Sequence, residues 1–164
     1  MKYKHTLLLV SDLKRSKQFY QDLLGLKVIH DFKHHVTFEG GIALHDADHY
    51  QQTTGKSVVL NLSDHRAGVY FETTDIIADY DRLDKAGVPF QSPIELQPWN
   101  QQMFRCFDPD NHLIEVGETM EQVILHLQKR GKTLTEIIAM TDLPHDYVEL
   151  VLHRNFGDRQ SLKS

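Results

Sequence analysis

Glu115 is the residue that most clearly calls for a chemical explanation, and it lies in the segment FDPDNHLIEV, residues 107–116. Pro109 presets the backbone of a turn, and the apolar residues around Glu115 predict a strand that is covered on both faces. An ionised carboxylate in such a strand is costly unless a metal, an arginine or a histidine compensates it. We therefore expect Glu115 to meet one of these three partners.

Arg105 is the cation nearest to Glu115 along the chain. If residues 108–111 form a four-residue turn, Phe104 lies opposite Glu115, and a register one residue different places Arg105 opposite it instead. Arg105 is also a candidate substrate-binding residue. In the first register, one face of the hairpin carries Phe104, Cys106, Leu113 and Glu115. This face could line a cavity.

Two further features near this hairpin could bind a small molecule. Cys106 is the only cysteine; no activating cation is predicted beside it, which favours a small residue lining the core or the cavity over a nucleophile. The loop PWNQQ at 98–102 carries the only tryptophan, so Trp99 and Gln101 are predicted at the lip of a cavity, with an ordinary loop as the alternative. Strand aromatics such as Phe38 and Tyr70 are more typical of a core.

An internal repeat supplies the elements that must position these residues. A strand is followed by a helix that begins after Asp12 and ends at Gly25, and three strands follow up to Asp46. The same order begins again at Gly68, with a helix cap at Asp75 and a helix end at Gly87. The fold class is therefore α+β, with two βαβββ modules at 1–47 and 67–118 and a polar connector at 48–66. Each sheet leaves one face uncovered, so the modules are expected to pair around a cavity.

From Thr119 to Ser164 the pattern changes to a helical extension. Thr133 and Glu136 form a capping-box signature, Pro144 starts a further helix, and the chain from Arg154 onward is expected to be a frayed tail. Basic and acidic side chains are equal in number after Thr119. Because DNA affinity rests mainly on phosphate neutralisation, this balance favours a packing or dimer-forming extension over a DNA-binding one.

The composition excludes several classes of protein. The chain has 164 residues, 40% of them hydrophobic, and a formal net charge of -5, which does not favour nucleic acid as a partner. A single cysteine excludes an intramolecular disulfide framework and fits a reducing compartment. No long apolar run predicts a membrane span or a signal segment, so we expect a cytoplasmic protein with no membrane partner.

The repeat, together with HTLLLVSDLKRSKQFYQDLLGLKV at 5–28 and FDPDNHLIEV at 107–116, resembles the glyoxalase/bleomycin-resistance/dioxygenase superfamily, also called vicinal oxygen chelate. The resemblance covers about residues 1–118. It implies two βαβββ modules around a U-shaped cavity, often with a divalent metal that polarises adjacent oxygens of a substrate. The sequence QPWNQ and the helical extension are similar to a bacterial glyoxalase-like subgroup.

The resemblance also implies a ligand set. His5 matches a metal ligand on the first strand and Glu115 matches the carboxylate ligand on the last strand, while His45 lies where glyoxalase I-like proteins place a further ligand. Gly68 stands where metal-dependent members often carry histidine. The implied cofactor is a divalent metal, Zn, Ni, Mn or Fe, held by His5, His45 and Glu115, with Glu115 also as the catalytic base.

Three functions follow as hypotheses. The first is a metal-dependent, glyoxalase-like lyase, isomerase or related small-molecule enzyme that acts as a homodimer. The second is a metal-free small-molecule binding or antibiotic-sequestering protein of the bleomycin-resistance type. The third is a regulatory protein that senses a ligand and acts through the helices after Thr119, which the balanced charge of that region favours least.

Overall fold

The structure is a computed structural model that describes the backbone of residues 1–60 and 67–161, and the side chains of those residues up to Asn155. Contacts within the chain divide it into two units. Unit 1 comprises residues 1–69, 82–89 and 106–114, and unit 2 comprises residues 70–81, 90–105 and the chain from Glu115 onward. The tip of the last hairpin therefore belongs to the same unit as the first sheet.

The first repeat forms a four-stranded sheet in the order β1-β4-β3-β2, with β1 parallel to β4 and the other neighbours antiparallel. Its elements are β1 (Thr6–Val10), α1 (Leu13–Gln18), a π-helical turn (Phe19–Leu23), β2 (Val28–Phe32), β3 (His35–Phe38) and β4 (Ile42–Asp46). The helical segment buries one face of this sheet, since the rings of Tyr20 and Phe38 lie 5.9 Å apart and both side chains are buried.

Local signals explain where this helical segment begins and ends. The Asp12 side chain accepts a hydrogen bond from the backbone N–H of Arg15 at 3.0 Å, which satisfies one of the free donors of the first turn. Gly25 has a φ of +72°, a left-handed conformation that glycine adopts without a steric penalty. Both signals were predicted, and both are confirmed.

The second repeat has the same order of elements, and its sheet has the order β5-β8-β7-β6. Its elements are β5 (Gly68–Thr73), α3 (Ile76–Lys85), β6 (Phe90–Leu96), β7 (Gln102–Phe107) and β8 (Leu113–Glu118). Asp75 caps α3 by accepting from the backbone N–H of Ala78 at 3.0 Å, and Gly87 follows with a φ of +73°. The α+β class and the two βαβββ modules are confirmed.

The connector between the repeats contains a helix that the polar sequence did not predict. Helix α2 (Ala47–Thr54) follows β4 directly, and Asp46 caps it by accepting from the backbone N–H of His49 at 2.7 Å. Residues 61–66 of the predicted connector lie outside the described residues.

Three helices follow the second sheet, as predicted. They are α4 (Met120–Lys129), α5 (Leu134–Thr141) and α6 (His145–Ser161). The capping box of Thr133 and Glu136 is present. The helices share a buried core of Val123, Ile124, Leu127, Ile137, Val148 and Val151. The prediction of a frayed tail from Arg154 was wrong over the described residues, because α6 continues to Ser161. Among the described helices, none is long and apolar enough to span a membrane.

The turn between β7 and β8 is held by Asp108, whose residue surface is only 2% exposed. Its carboxylate accepts from the backbone N–H groups of Asp110 at 2.9 Å and His112 at 2.8 Å. It also accepts from the Tyr20 hydroxyl at 3.0 Å and pairs with His112 Nδ1 at 2.8 Å. Asp108 thus ties the turn to the π-helical segment after α1.

Asp110 makes a second connection, which joins the turn to the start of α1. It accepts from the backbone N–H of Ser11 at 2.9 Å and from the Ser16 hydroxyl at 2.9 Å, and the Arg15 guanidinium lies 3.4 Å away. Burial by itself would raise the pKa of Asp110, but these hydrogen bonds and the Arg15 charge lower it. The contribution of Asp110 to stability is therefore complete above pH 3.8 and is lost as the pH falls through its lowered pKa.

His112 gives this turn an opposite dependence on pH. Burial lowers its pKa, but the hydrogen bond to Asp108 and the charges of Asp108 and Asp110 outweigh burial and raise the pKa above 6.5. Its contribution is complete below pH 6.5 and is lost as the pH rises through the raised pKa. We expect His112→Ala to lower the free energy of unfolding by about 1 to 2 kcal/mol at pH 6 and by less at pH 9.

Urea denaturation of wild type and His112→Ala at the two pH values tests this expectation. His30→Ala is the control, because that imidazole is exposed on β2. An equal loss for His112→Ala at pH 6 and pH 9 would contradict the charged pair with Asp108.

Candidate functional site

Side chains along β7 point alternately to the two faces of the second sheet, and α3 packs on one of these faces. Phe104 is 0% exposed, and its ring lies 5.3 Å from Tyr80 of α3 and 5.7 Å from Phe90. Neighbouring residues on a strand point to opposite faces, so Arg105 lies on the face that α3 does not cover. We call this the open face of the second sheet.

The open face carries an ion pair between adjacent strands. Arg105 Nε donates to Glu115 Oε1 at 2.6 Å, and the two side chains are 24% and 32% exposed. Arg105 Nη2 also contacts the Met103 sulfur at 3.4 Å. Arg105 Nη1 and the second carboxylate oxygen of Glu115 have no hydrogen-bond partner among the residues that the structure describes. The pair therefore keeps an unused donor and an unused acceptor.

This geometry decides between the two predicted registers. Asp108 N–H donates to the His112 carbonyl at 3.1 Å, and Asn111 has a φ of +68°, so the turn is one residue longer than 108–111. The prediction that Phe104 and Cys106 share a face with Glu115 was wrong, because the longer turn brings Arg105 opposite Glu115. The Glu115 side chain is also partly exposed, whereas its strand was predicted to be covered on both faces.

Cys106 lies in the core of unit 1 and is fully buried. Burial, with a smaller contribution from the charge of Asp108, raises the pKa of its thiol to about 12. The group is therefore a protonated thiol at neutral pH and not an activated nucleophile.

Gln101 is 3% exposed, and its side-chain hydrogen bonds lie within unit 2. Its oxygen accepts from the Trp99 indole N–H at 2.7 Å, and its nitrogen donates to the Tyr70 hydroxyl at 2.8 Å and to the Glu118 carbonyl at 2.6 Å. Gly117 leaves the space that this amide fills, since a Cβ at that position would lie 2.6 Å from the Gln101 nitrogen. Gln101 thus acts as an internal bridge that positions Tyr70 and Trp99.

Tyr70 lies on the open face, although a strand aromatic at this position was predicted to belong to the core. Its side chain is 47% exposed, and its hydroxyl donates to Glu72 Oε1 at 3.3 Å. Burial and the charges of Glu72 and Glu115 raise its pKa against the Gln101 hydrogen bond, so the hydroxyl stays protonated. A polar residue two positions along β5, Glu72, was the available signal that this face is not core.

The loop before β7 is fixed at both ends. Trp99 is 37% exposed, and its indole N–H is already bonded to Gln101. The Asn100 side chain donates to the Met140 carbonyl of α5 at 2.8 Å, with Asn100 itself at a φ of +66°. The Trp99 ring is therefore held in place while part of its surface stays accessible.

Unit 1 carries a row of histidines that includes two of the predicted metal ligands. His45 Nε2 lies 3.0 Å from His49 Nδ1, and His45 Nδ1 lies 3.4 Å from His35 Nδ1. The ring of His5 is 5.6 Å from that of His35. Burial, followed by the neighbouring histidines, lowers the pKa values of His35 and His45, so both are uncharged at neutral pH. Both ring nitrogens of His45 are engaged with other histidines.

A cavity of about 700 Å³ lies elsewhere in unit 1, beside the start of α1. Its charged lining consists of Asp12, Lys14, Lys17, Asp31, Lys33 and Asp46, and Lys17 pairs with Asp31 at 2.8 Å. Acidic and basic groups are balanced there, and none of the predicted site residues lines it. Its chemistry indicates no ligand class.

Comparison with known proteins identifies the family of this chain. The family model described as "Glyoxalase-like domain" matches residues 3–121. This chain belongs to the glyoxalase-like domain family. The predicted resemblance to the glyoxalase/bleomycin-resistance/dioxygenase superfamily is confirmed.

Three relatives illustrate the similarity. A solved structure of a protein of unknown function from Agrobacterium tumefaciens str. C58 is 37% identical, with a TM-score of 0.65 over 73% of this chain and 94% of that one. A glyoxalase/bleomycin resistance protein/dioxygenase from Nocardioides is 26% identical, with a TM-score of 0.54 over 72% and 83% of the chains. "Uncharacterized protein YraH" of Bacillus subtilis (strain 168) is 28% identical over 71% of this chain and 97% of its own length.

The glyoxalase-like domain ends soon after β8, so α5 and α6 lie outside the matched residues. Gly68 occupies the position where the resemblance implies a histidine in metal-dependent members. A Cβ atom at Gly68 would lie 3.4 Å from the Leu113 side chain. The described residues include no group of three or more His, Cys, Asp or Glu that could hold a metal ion. The ligand set of His5, His45 and Glu115 stays a prediction.

Proposed function

We propose that this glyoxalase-like protein binds a small organic molecule on the open face of the second sheet, with Arg105 and Glu115 as the polar centre of the site and without a metal on Glu115. The observation that carries the proposal is the 2.6 Å hydrogen bond from Arg105 Nε to Glu115 in a partly buried position that solvent still reaches. The guanidinium supplies the compensation that the carboxylate requires.

The residues around the pair support ligand binding. An ion pair of two long side chains contributes little to stability when it is partly exposed, so stability alone does not account for it in the middle of a sheet. Tyr70 and Trp99 each present aromatic surface, and Gln101 fixes both of them in place. Fixed aromatic groups beside a few oriented polar atoms are the usual composition of a small-molecule site.

The metal-dependent hypothesis was tested on the same residues. A divalent metal would supply electrophilic polarisation of substrate oxygens. The predicted ligands do not fit a bound metal in this structure. The Glu115 carboxylate accepts a hydrogen bond from Arg105, and both ring nitrogens of His45 contact other histidines, His35 and His49. The metal-free alternative is therefore the function that we propose.

Two measurements test the proposal. Protein purified without added metal is expected to hold far less than one metal atom per chain, and EDTA is expected to leave its Tm unchanged. In a thermal-shift screen of a diverse library of small organic molecules, at least one compound is expected to stabilise wild type but neither Arg105→Gln nor Glu115→Gln. Stoichiometric metal that is lost from both Glu115→Gln and His5→Gln would overturn the metal-free proposal.

The predicted homodimer and cytoplasmic location stay proposals. Light scattering coupled to gel filtration would test the first, with the mass of one chain as the contradicting result.

A further inference from the structure

The charges on the open face define the kind of ligand that fits it. Arg105 is positive and Glu115 is negative, and exposed Glu72 adds a second carboxylate through its hydrogen bond with Tyr70. A ligand with only a negative charge would satisfy Arg105 but would meet two carboxylates. A ligand with only a positive charge would bind the carboxylates but would make no use of the part of the guanidinium that Glu115 does not occupy, so complementarity requires both signs in one small molecule.

The guanidinium of Arg105 has one free end. Nε donates to Glu115 and Nη2 contacts the Met103 sulfur, which occupies one edge of the planar group. Nη1 and the second N–H of Nη2 form the other edge, and Nη1 has no partner among the described residues. Such an edge matches the two oxygens of a carboxylate with parallel hydrogen bonds.

Glu115 offers the complementary group. One of its oxygens receives Arg105, and the second oxygen has no hydrogen-bond partner within the described part of the chain. An ammonium group is a strong donor for such an oxygen, because both partners are charged. A free acceptor thus lies next to a free donor edge, and the two are linked by the 2.6 Å bond.

We propose that the ligand is a small zwitterion with adjacent amino and carboxylate groups, such as an α-amino acid, whose carboxylate binds the free edge of Arg105 and whose ammonium group binds Glu115. The inference rests on the proposed function and deepens it. The half-exposed ring of Tyr70, on the same face, provides apolar surface for the ligand side chain. Amino acids with aromatic or aliphatic side chains are therefore the expected ligands.

The test uses compounds that differ by one charged group. The full chain is titrated by calorimetry with the common L-amino acids and, as matched probes, with L-phenylalanine, 3-phenylpropanoate and 2-phenylethylamine. An apolar amino acid is expected to bind at least tenfold more tightly than its analogues lacking the amine or the acid. Backbone amide shifts in NMR spectra are expected to change at Tyr70, Arg105 and Glu115.

Variants locate the two charges. Arg105→Lys keeps a positive charge but lacks the two-donor edge, and is expected to weaken amino-acid binding roughly tenfold. Arg105→Gln and Glu115→Gln are expected to abolish it, and Glu121→Gln on α4 is the matched control with unchanged binding. Thermal melts of each variant establish that it folds.

Two other results separate this inference from the proposed function. If 3-phenylpropanoate or 2-phenylethylamine binds at the open face as tightly as L-phenylalanine, the zwitterion inference is wrong and the binding function stands. If no compound of the panel or the library changes the NMR signals of Tyr70, Arg105 or Glu115, both are overturned.

Discussion

Asp108→Ala is expected to lower the free energy of unfolding by about 3 to 5 kcal/mol, because it removes a buried carboxylate whose two oxygens both accept hydrogen bonds. The Tyr20 hydroxyl and the backbone N–H groups of Asp110 and His112 would lose their acceptor in a buried turn. For a chain of this length the change corresponds to a fall in Tm of roughly 6 to 20 °C. Urea denaturation monitored by circular dichroism measures it.

Two controls accompany this experiment. Asp108→Asn keeps an acceptor for the backbone bonds and is expected to lose only part of the stability. Asp31→Ala removes a half-exposed carboxylate that pairs with Lys17, and is expected to change stability by no more than about 1 kcal/mol. A loss below 1 kcal/mol for Asp108→Ala would show that the turn is not held as described.

Gln101→Met is expected to lower the free energy of unfolding by about 2 to 4 kcal/mol with little change in side-chain volume. The replacement removes the acceptor of the Trp99 indole N–H and the donor to the Glu118 carbonyl and the Tyr70 hydroxyl. Because Trp99 is the only tryptophan, its fluorescence reports the change directly. We expect a shift of the emission maximum to longer wavelength as the indole becomes solvated.

The adjacent residue provides the matched control. The Gln102 side chain makes no hydrogen bond among the described residues, and its backbone N–H donates to Glu118 Oε2 at 3.0 Å. Gln102→Met is expected to change stability by less than about 0.5 kcal/mol. Equal destabilisation by the two variants would mean that Gln101 is not the bridge between Trp99 and Tyr70.

The fold could be predicted because its signals are local and occur twice. The caps at Asp12 and Asp75 and the helix ends at Gly25 and Gly87 depend on a few neighbouring residues. Helix α2 was not predicted. Its cap, Asp46, is also the last residue of β4, so no separate cap signal marks the start of the helix, and the polar residues after it indicated a loop.

The site was harder to predict because it depends on register and on distant partners. One extra residue in the turn moves Arg105 opposite Glu115, and the apolar pattern of β7 and β8 is compatible with either register. Gln101 was predicted to bind the ligand, and its role as a bridge between Trp99 and Tyr70 was not predicted. Its partners Tyr70 and Glu118 come from other strands and cannot be identified from the loop sequence.

The connection between the turn and α1 also bears on how the chain is made. Ser11 and its acceptor Asp110 are 99 positions apart, so the ribosome must add that length of chain before the bond can form. At about 5 to 20 residues per second this takes roughly 5 to 20 seconds. During that interval the newly made first sheet lacks Asp108 and Asp110, and Tyr20 and Ser16 have no acceptor from the turn. Nascent chains stalled before residue 108 are the form in which this sheet is most open to chaperones and proteases.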